Sequence, residues 1–264
     1  MNTPPISRRT LRFFTRYLRR YFARHFTGVR IALDGRPPEF GDKPFILYCN
    51  HPSWWDPILL MLVVSEYYPG RDGYGPIDSA VIDRYKFLGR LGLFGVDPDS
   101  RTGLSRFLRT ADAILARPRT ILGITPEGEF RDPRARPVRL QPGVAHLLRR
   151  HPEVPAVPVA IEYPFWDERA PEALVRFGNL IEADERRAEM PVEELNRYLE
   201  HRLEETLDRL AEGAMARDPA AFVSIVEGGT GVGGIYDAGK RLKAWLTGRS
   251  FDPSHAAASK RGEK

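Results

Sequence analysis

Asn50, His51 and Asp56 stand in the stretch "CNHPSWWDPILL", residues 49–60, directly after the apolar run "FILY". An imidazole can take the proton of an alcohol if it is held in the right tautomer. A carboxylate bonded to the far ring nitrogen sets that tautomer and stabilises the imidazolium. The H-x-x-x-x-D spacing, crossing a turn into a helix, can bring His51 and Asp56 together. There is no G-x-S-x-G in the chain, and Ser53 is too close in sequence to be an obvious triad nucleophile. Such a dyad would therefore activate a hydroxyl of the substrate. A structural role fits the same residues: Asp56 as helix cap before Pro57, with His51 packed beside Trp54 and Trp55. The two roles are compatible. Cys49 shares a strand face with His51, so a thiol nucleophile is the alternative to a bare base, although a lone buried cysteine is usually inert packing.

These side chains need strands and helices to place them. The patterning predicts strands at 44–49, 93–96, 120–125, 156–163 and 173–177, with a further strand before the glycine-rich "EGGTGVGGIYDAG". It predicts helices at 55–68, 103–117, 143–151 and 192–213. This alternation implies an α/β fold with a central, mostly parallel or mixed sheet flanked by helices. Three polar motifs follow three of the strands: "NHPSWWD", "DPDSRTG" and "PEGEFRD". Ligands of open α/β sheets bind beyond the carboxyl ends of strands, so one site assembled from three loops is expected.

The 264 residues suffice for one large domain with a sizeable core. A single cysteine excludes an internal disulfide and a cysteine-built zinc site, and points to a reducing compartment. No metal and no cofactor is expected. The longest apolar run, "ILLMLVV" at 58–64, is core-sized rather than membrane-spanning. The formal charge is +5, yet residues 1–30 hold eight Arg and no acid, so the remainder is slightly acidic. That concentration argues against nucleic acid, which needs a distributed basic face. Residues 1–30 read as an amphipathic helix, with Leu11, Phe14, Leu18, Tyr21 and Phe22 opposite Arg9, Arg12, Arg16, Arg19 and Arg20. The pattern suits an anionic membrane surface; a surface helix packed on the domain is the other reading. The expected organisation is this helix over 1–30, an α/β domain over 31–250 and a disordered tail over 251–264. The expected location is the cytoplasm, at the inner face of a membrane. Gly229, Gly231 and Gly234 satisfy G-x-G-x-x-G, but too little chain follows for a dinucleotide fold.

The ordered set "NHPSWWD", "TPEGEF" and "VPVAIEY" resembles the glycerolipid acyltransferase family, which includes the bacterial lysophosphatidic acid acyltransferases. The resemblance covers roughly residues 40 to 180 and rests on Asn50, His51 and Asp56, on Pro126, Glu127 and Gly128, and on residues 157–161. It implies acyl transfer from a thioester, coenzyme A or acyl carrier protein, to a lipid hydroxyl. In that reading His51 is the base, Asp56 orients it, and Asn50, Pro126, Glu127 and Gly128 shape the substrate site. Arg101 and Arg131 are the nearest basic residues to the places where the family carries phosphate-binding arginines, which Pro98 and Phe130 occupy here. The displacement points to an acceptor bulkier or less charged than simple lysophosphatidic acid. A hydrolase that gives the acyl group to water, or a non-catalytic protein on the same fold, would share these features.

Overall fold

The computed structural model describes residues 3–97 and 100–229. Eight strands form one mixed sheet: β1 Gly28–Ala32, β2 Phe45–Cys49, β3 Asp72–Asp78, β4 Leu93–Val96, β5 Thr120–Ile124, β6 Ala156–Glu162, β7 Glu172–Phe177 and β8 Phe222–Glu227, in the order β4-β3-β5-β2-β6-β7-β1-β8. β2 lies at the centre, parallel to both β5 and β6. The antiparallel pairs are β6 with β7 and β1 with β8.

Successive residues of β2 point to opposite faces, and each face has its own core. Phe45, Leu47 and Cys49 meet α1 (Arg8–His25) and α2 (Asp56–Tyr67). Ile46 and Tyr48 meet α4 (Arg101–Leu115), α5 (Gly143–Arg150) and α6 (Val192–Ala216). A short helix, α3 (Ser79–Arg84), lies between β3 and β4. In α6 a stripe of Leu195, Leu199, Leu203, Leu207 and Leu210 turns inward at helical spacing and closes the second core. β2 is buried on both faces, as a central strand between parallel neighbours must be.

Among the described residues, the strands and helices expected from the patterning are present, and two strands and one α-helix, β1, β3 and α3, are additional, along with three short 3-10 turns. β3 reads "DGYGPID", a string of turn formers. It is a strand because its halves pair on different sides. Asp72–Tyr74 pair with β5, while Gly75–Asp78, which contain Pro76, pair with β4. Proline cannot donate to a ladder, and the segment that holds it is bonded along one side only. β1 sits between β7 and β8, so the division at residue 30 falls inside a strand of the sheet.

The apolar face of α1 differs from a free membrane face. Leu18 and Phe22 are fully buried against α2 and the sheet, and Tyr21 packs on Trp55. Two such burials contribute about 3–6 kcal/mol, which the domain supplies in place of a bilayer. The opposite face carries Arg9, Arg12, Arg16, Arg20 and Arg24, all exposed, together with Phe13 (73% exposed) and Tyr17 (50%). Among the described residues no helix is long and apolar enough to cross a membrane. Gly231, Gly234 and the tail over 251–264 lie outside the described residues.

Candidate active site

β2 ends at Cys49, and Asn50 prolongs its pairing with a side chain. The Asn50 Nδ2 donates to the Ile161 carbonyl at 2.9 Å, and its Oδ1 accepts from the Ile161 N–H at 2.8 Å. Only an amide offers donor and acceptor together at that reach. Asn50 is buried and committed to β6, so its place is under the site rather than against a substrate.

His51 follows at the strand end. Its Nδ1 lies 2.7 Å from Asp56 Oδ2. Asp56 has no exposed surface. Its Oδ2 also accepts the Ser53 N–H at 2.9 Å, and its Oδ1 accepts the Tyr163 hydroxyl at 2.7 Å. Three donors fix the plane of the carboxylate, and a carboxylate at Nδ1 makes that nitrogen the protonated one. Among the described residues no group bonds Nε2, whose lone pair is then able to accept a proton. Burial, and then the Asp56 charge, push the Tyr163 phenol up, so it remains a donor. Asp56 is the first residue of α2 itself, with Trp55 at the cap position and Pro57 next. Its side chain therefore closes the turn behind it instead of capping the helix ahead.

The loop after β5 grips the His51 backbone from the other side. The His51 N–H donates to Glu127 Oε2 at 2.5 Å, and the His51 carbonyl accepts the Arg131 N–H at 3.0 Å. Burial raises the Glu127 carboxyl above its ordinary value, opposed by the bond from His51 and the charge of Arg131. The turn that aims Glu127 is closed by Gly128 N–H to Thr125 carbonyl at 3.2 Å, and the Pro126 carbonyl accepts from Gln141 at 2.7 Å. Gly128 has φ of +75°, a region that side chains disfavour, which is the reason for glycine there.

The structure thus brings Asn50, His51, Asp56, Pro126, Glu127, Gly128 and the Arg131 backbone to one place, built from two loops rather than three. Arg101 begins α4, after the edge strand β4. β3 and β5 stand between β4 and β2, which separates the strands by roughly 14 Å at the usual spacing. The Arg131 guanidinium is turned onto Glu129 Oε1, with Nε at 2.9 Å and Nη2 at 2.7 Å. The thiol of Cys49 donates to the Ile124 carbonyl at 3.6 Å inside the sheet. Burial, followed by the charges of Asp56 and Glu127, pushes it far up, so it is packing and not a nucleophile.

With the dyad, its clamps and the mixed sheet in place, the comparison with known families is decisive: the model described as Acyltransferase matches residues 29–162, about half of the chain. The chain belongs to the acyltransferase family. The match begins within β1 and ends at the last residue of β6, so it spans both loops that hold His51. Comparison of the acyltransferase with curated proteins gave no match.

Two contacts of this acyltransferase escaped the sequence reading. Tyr163 was visible only as the end of "VPVAIEY". Val157, Val159 and Ile161 all face α2, and the same parity carries Tyr163 to the side where Asp56 enters. Phe130 packs its ring 4.6 Å from that of His51. Beside α2 lies an apolar cavity of about 540 Å³, lined by Pro57, Leu60, Met61, Val64 and Leu93. Gly73, Gly75 and Gly123 form part of its wall, and Arg12 and Arg16 of α1 border it. It follows α2 from Pro57, next to Asp56, to Tyr68, roughly 16 Å at the rise of an α-helix.

Proposed function

We propose that this acyltransferase moves a fatty acyl group from an acyl thioester, of coenzyme A or acyl carrier protein, to a hydroxyl of a lysolipid or other lipid. The observation that carries the reading is the triply bonded Asp56 at His51 Nδ1, which leaves Nε2 as the base. Nε2 takes the hydroxyl proton as the oxygen attacks the thioester carbonyl. The new C–O bond forms, the C–S bond breaks, and the imidazolium returns the proton to the leaving thiolate. A thioester is already activated, so a positioned base and a held acceptor supply most of what is needed. No cofactor enters the scheme. The cavity beside α2 suits the acyl chain, because it is apolar and begins beside the residue that orients the base.

The protein works in this reading at the inner face of a membrane, from the cytoplasm. Support comes from the outer face of α1, where five arginines flank Phe13 and Tyr17. Cations on anionic headgroups and aromatics at the interface are the forces that hold a peripheral helix.

The test offers the purified protein a labelled acyl thioester with and without lysolipid. Ester formation that depends on the lysolipid and disappears in His51→Ala is expected. Free fatty acid as the sole product would make the protein a hydrolase, and full ester formation by His51→Ala would remove the base.

A further inference from the structure

We propose that the acceptor carries its reacting hydroxyl on an uncharged saccharide ring, seated against Phe130 in front of His51. This rests on the acyl-transfer reading above and names the class of hydroxyl that it uses.

Phe130 is 62% exposed although its ring lies 4.6 Å from the imidazole at 54°. One side of the phenyl is engaged by the base and the rest is open. A flat apolar surface beside a proton acceptor selects a partner with an apolar face and a hydroxyl at its rim. The C–H face of a pyranose has that shape, and a simple glycerol backbone does not.

The charges of the same loop argue against a phosphate. Arg131 is bound to Glu129, and Arg134 is bound to Asp132 through Nε at 2.9 Å and Nη2 at 2.8 Å. Bidentate recognition of a phosphate monoester uses a paired set of guanidinium donors, and Nε and Nη2 of both arginines in this loop are engaged by carboxylates two residues away. Residues 127–134 carry Glu127, Glu129 and Asp132 against those two arginines, and Asp56 lies behind His51. The field at the base is therefore unfavourable to a dianion. Arg131 uses Oε1 of Glu129, and among the described residues Oε2 has no hydrogen-bond partner. It is an acceptor for a neighbouring ring hydroxyl.

The experiment uses the full chain, one labelled long-chain acyl thioester, and three acceptors in competition: a glucosyl diacylglycerol, lysophosphatidic acid and a monoacylglycerol. The glucosyl lipid should win by about tenfold or more in kcat/KM. Phe130→Ala should raise its KM about tenfold, and Phe130→Trp should restore it, since one lost aromatic contact is worth about that factor. In a His51→Ala background, binding of the glucosyl lipid read by tryptophan fluorescence should persist and should fall when Phe130→Ala is added. Preference for lysophosphatidic acid, lost in Arg101→Ala or Arg131→Ala, would overturn the proposal, as would preference for the monoacylglycerol. A Phe130→Ala protein with unchanged acceptor KM but weaker vesicle binding would also overturn it, assigning the ring to the membrane. Full transfer by His51→Ala would remove the catalytic reading alone, because the binding measurement in that variant decides the saccharide independently.

Discussion

His51 is held at four points: Nδ1 by Asp56, the N–H by Glu127, the carbonyl by Arg131 and the ring by Phe130. Removal of the proposed base in His51→Ala should lower acyl transfer about 10³-fold or more, with a lowered thermal midpoint, because the buried Asp56 loses one of its three donors, but with the protein still folded at the assay temperature. Asp56→Asn should cost up to about 10⁴-fold, since an amide cannot set the tautomer. Tyr163→Phe removes one hydrogen bond to a buried carboxylate and should cost about tenfold in kcat while KM holds. A Tyr163→Phe enzyme at full rate would show that Asp56 needs no support from the residue that follows β6. Glu127 carries a pH signature. Its folded pKa is raised above 4.5 by burial, so the native state binds its proton more tightly than the unfolded chain. Stability from this group is present below 4.5 and is lost as pH rises through the raised value. Glu127→Gln removes that slope, so melting curves of the two proteins should diverge in favour of the variant through this window. Parallel curves would contradict the assignment.

At the scale of elements, α2 serves two purposes at once. Its first residue holds His51 Nδ1, and its Leu60, Met61 and Val64 wall the apolar cavity. The sheet makes room because Gly123 bears no Cβ: one there would lie 2.8 Å from Leu60 Cδ2. If the cavity holds the acyl chain, Val64→Trp should shorten the chain that fits. A panel of acyl thioesters should then show about tenfold lower kcat/KM for long chains, with short chains unaffected. An unchanged profile would place the acyl chain elsewhere. The strands that carry the site, β2, β5 and β6, are the most legible in the sequence, because each is a continuous apolar run buried on both sides. β3 was hidden, since its glycines and proline are acceptable only in the split pairing that its neighbours impose.

Over the whole molecule, charge and burial divide α1 into two sides. Its apolar side belongs to the core, and its outer side carries the exposed Arg9, Arg16, Arg20 and Arg24. Deletion of the helix would therefore unfold part of the domain and test nothing about membranes. Arg20→Glu with Arg24→Glu is the cleaner probe, as both are exposed and neither borders the cavity. Each arginine near an anionic surface contributes about 1 kcal/mol, so the pair should weaken sedimentation with anionic vesicles at least tenfold at low salt. Binding as strong as the parent's, at an unchanged melting temperature, would move the membrane contact off α1.

The sequence by itself determined the α/β class and the strands at the centre of the sheet, and its spacing singled out His51 and Asp56 as a candidate pair, while Glu127 entered through the family resemblance. These are local signals: apolar runs of strand length, turn residues that follow them, and a five-residue spacing that one turn can close. Tertiary structure alone decided which loops meet. β3 and β5 stand between β4 and β2, so the loop that begins α4 starts at the sheet edge while the loop after β5 closes on His51. It also decided that Asn50 braces β6, that Tyr163 reaches Asp56 and that Arg131 turns to Glu129. The same holds for α1, whose helical pattern was plain while the partner of its apolar face was not. Periodicity states that a face will be covered, and only the packing of distant segments states by what.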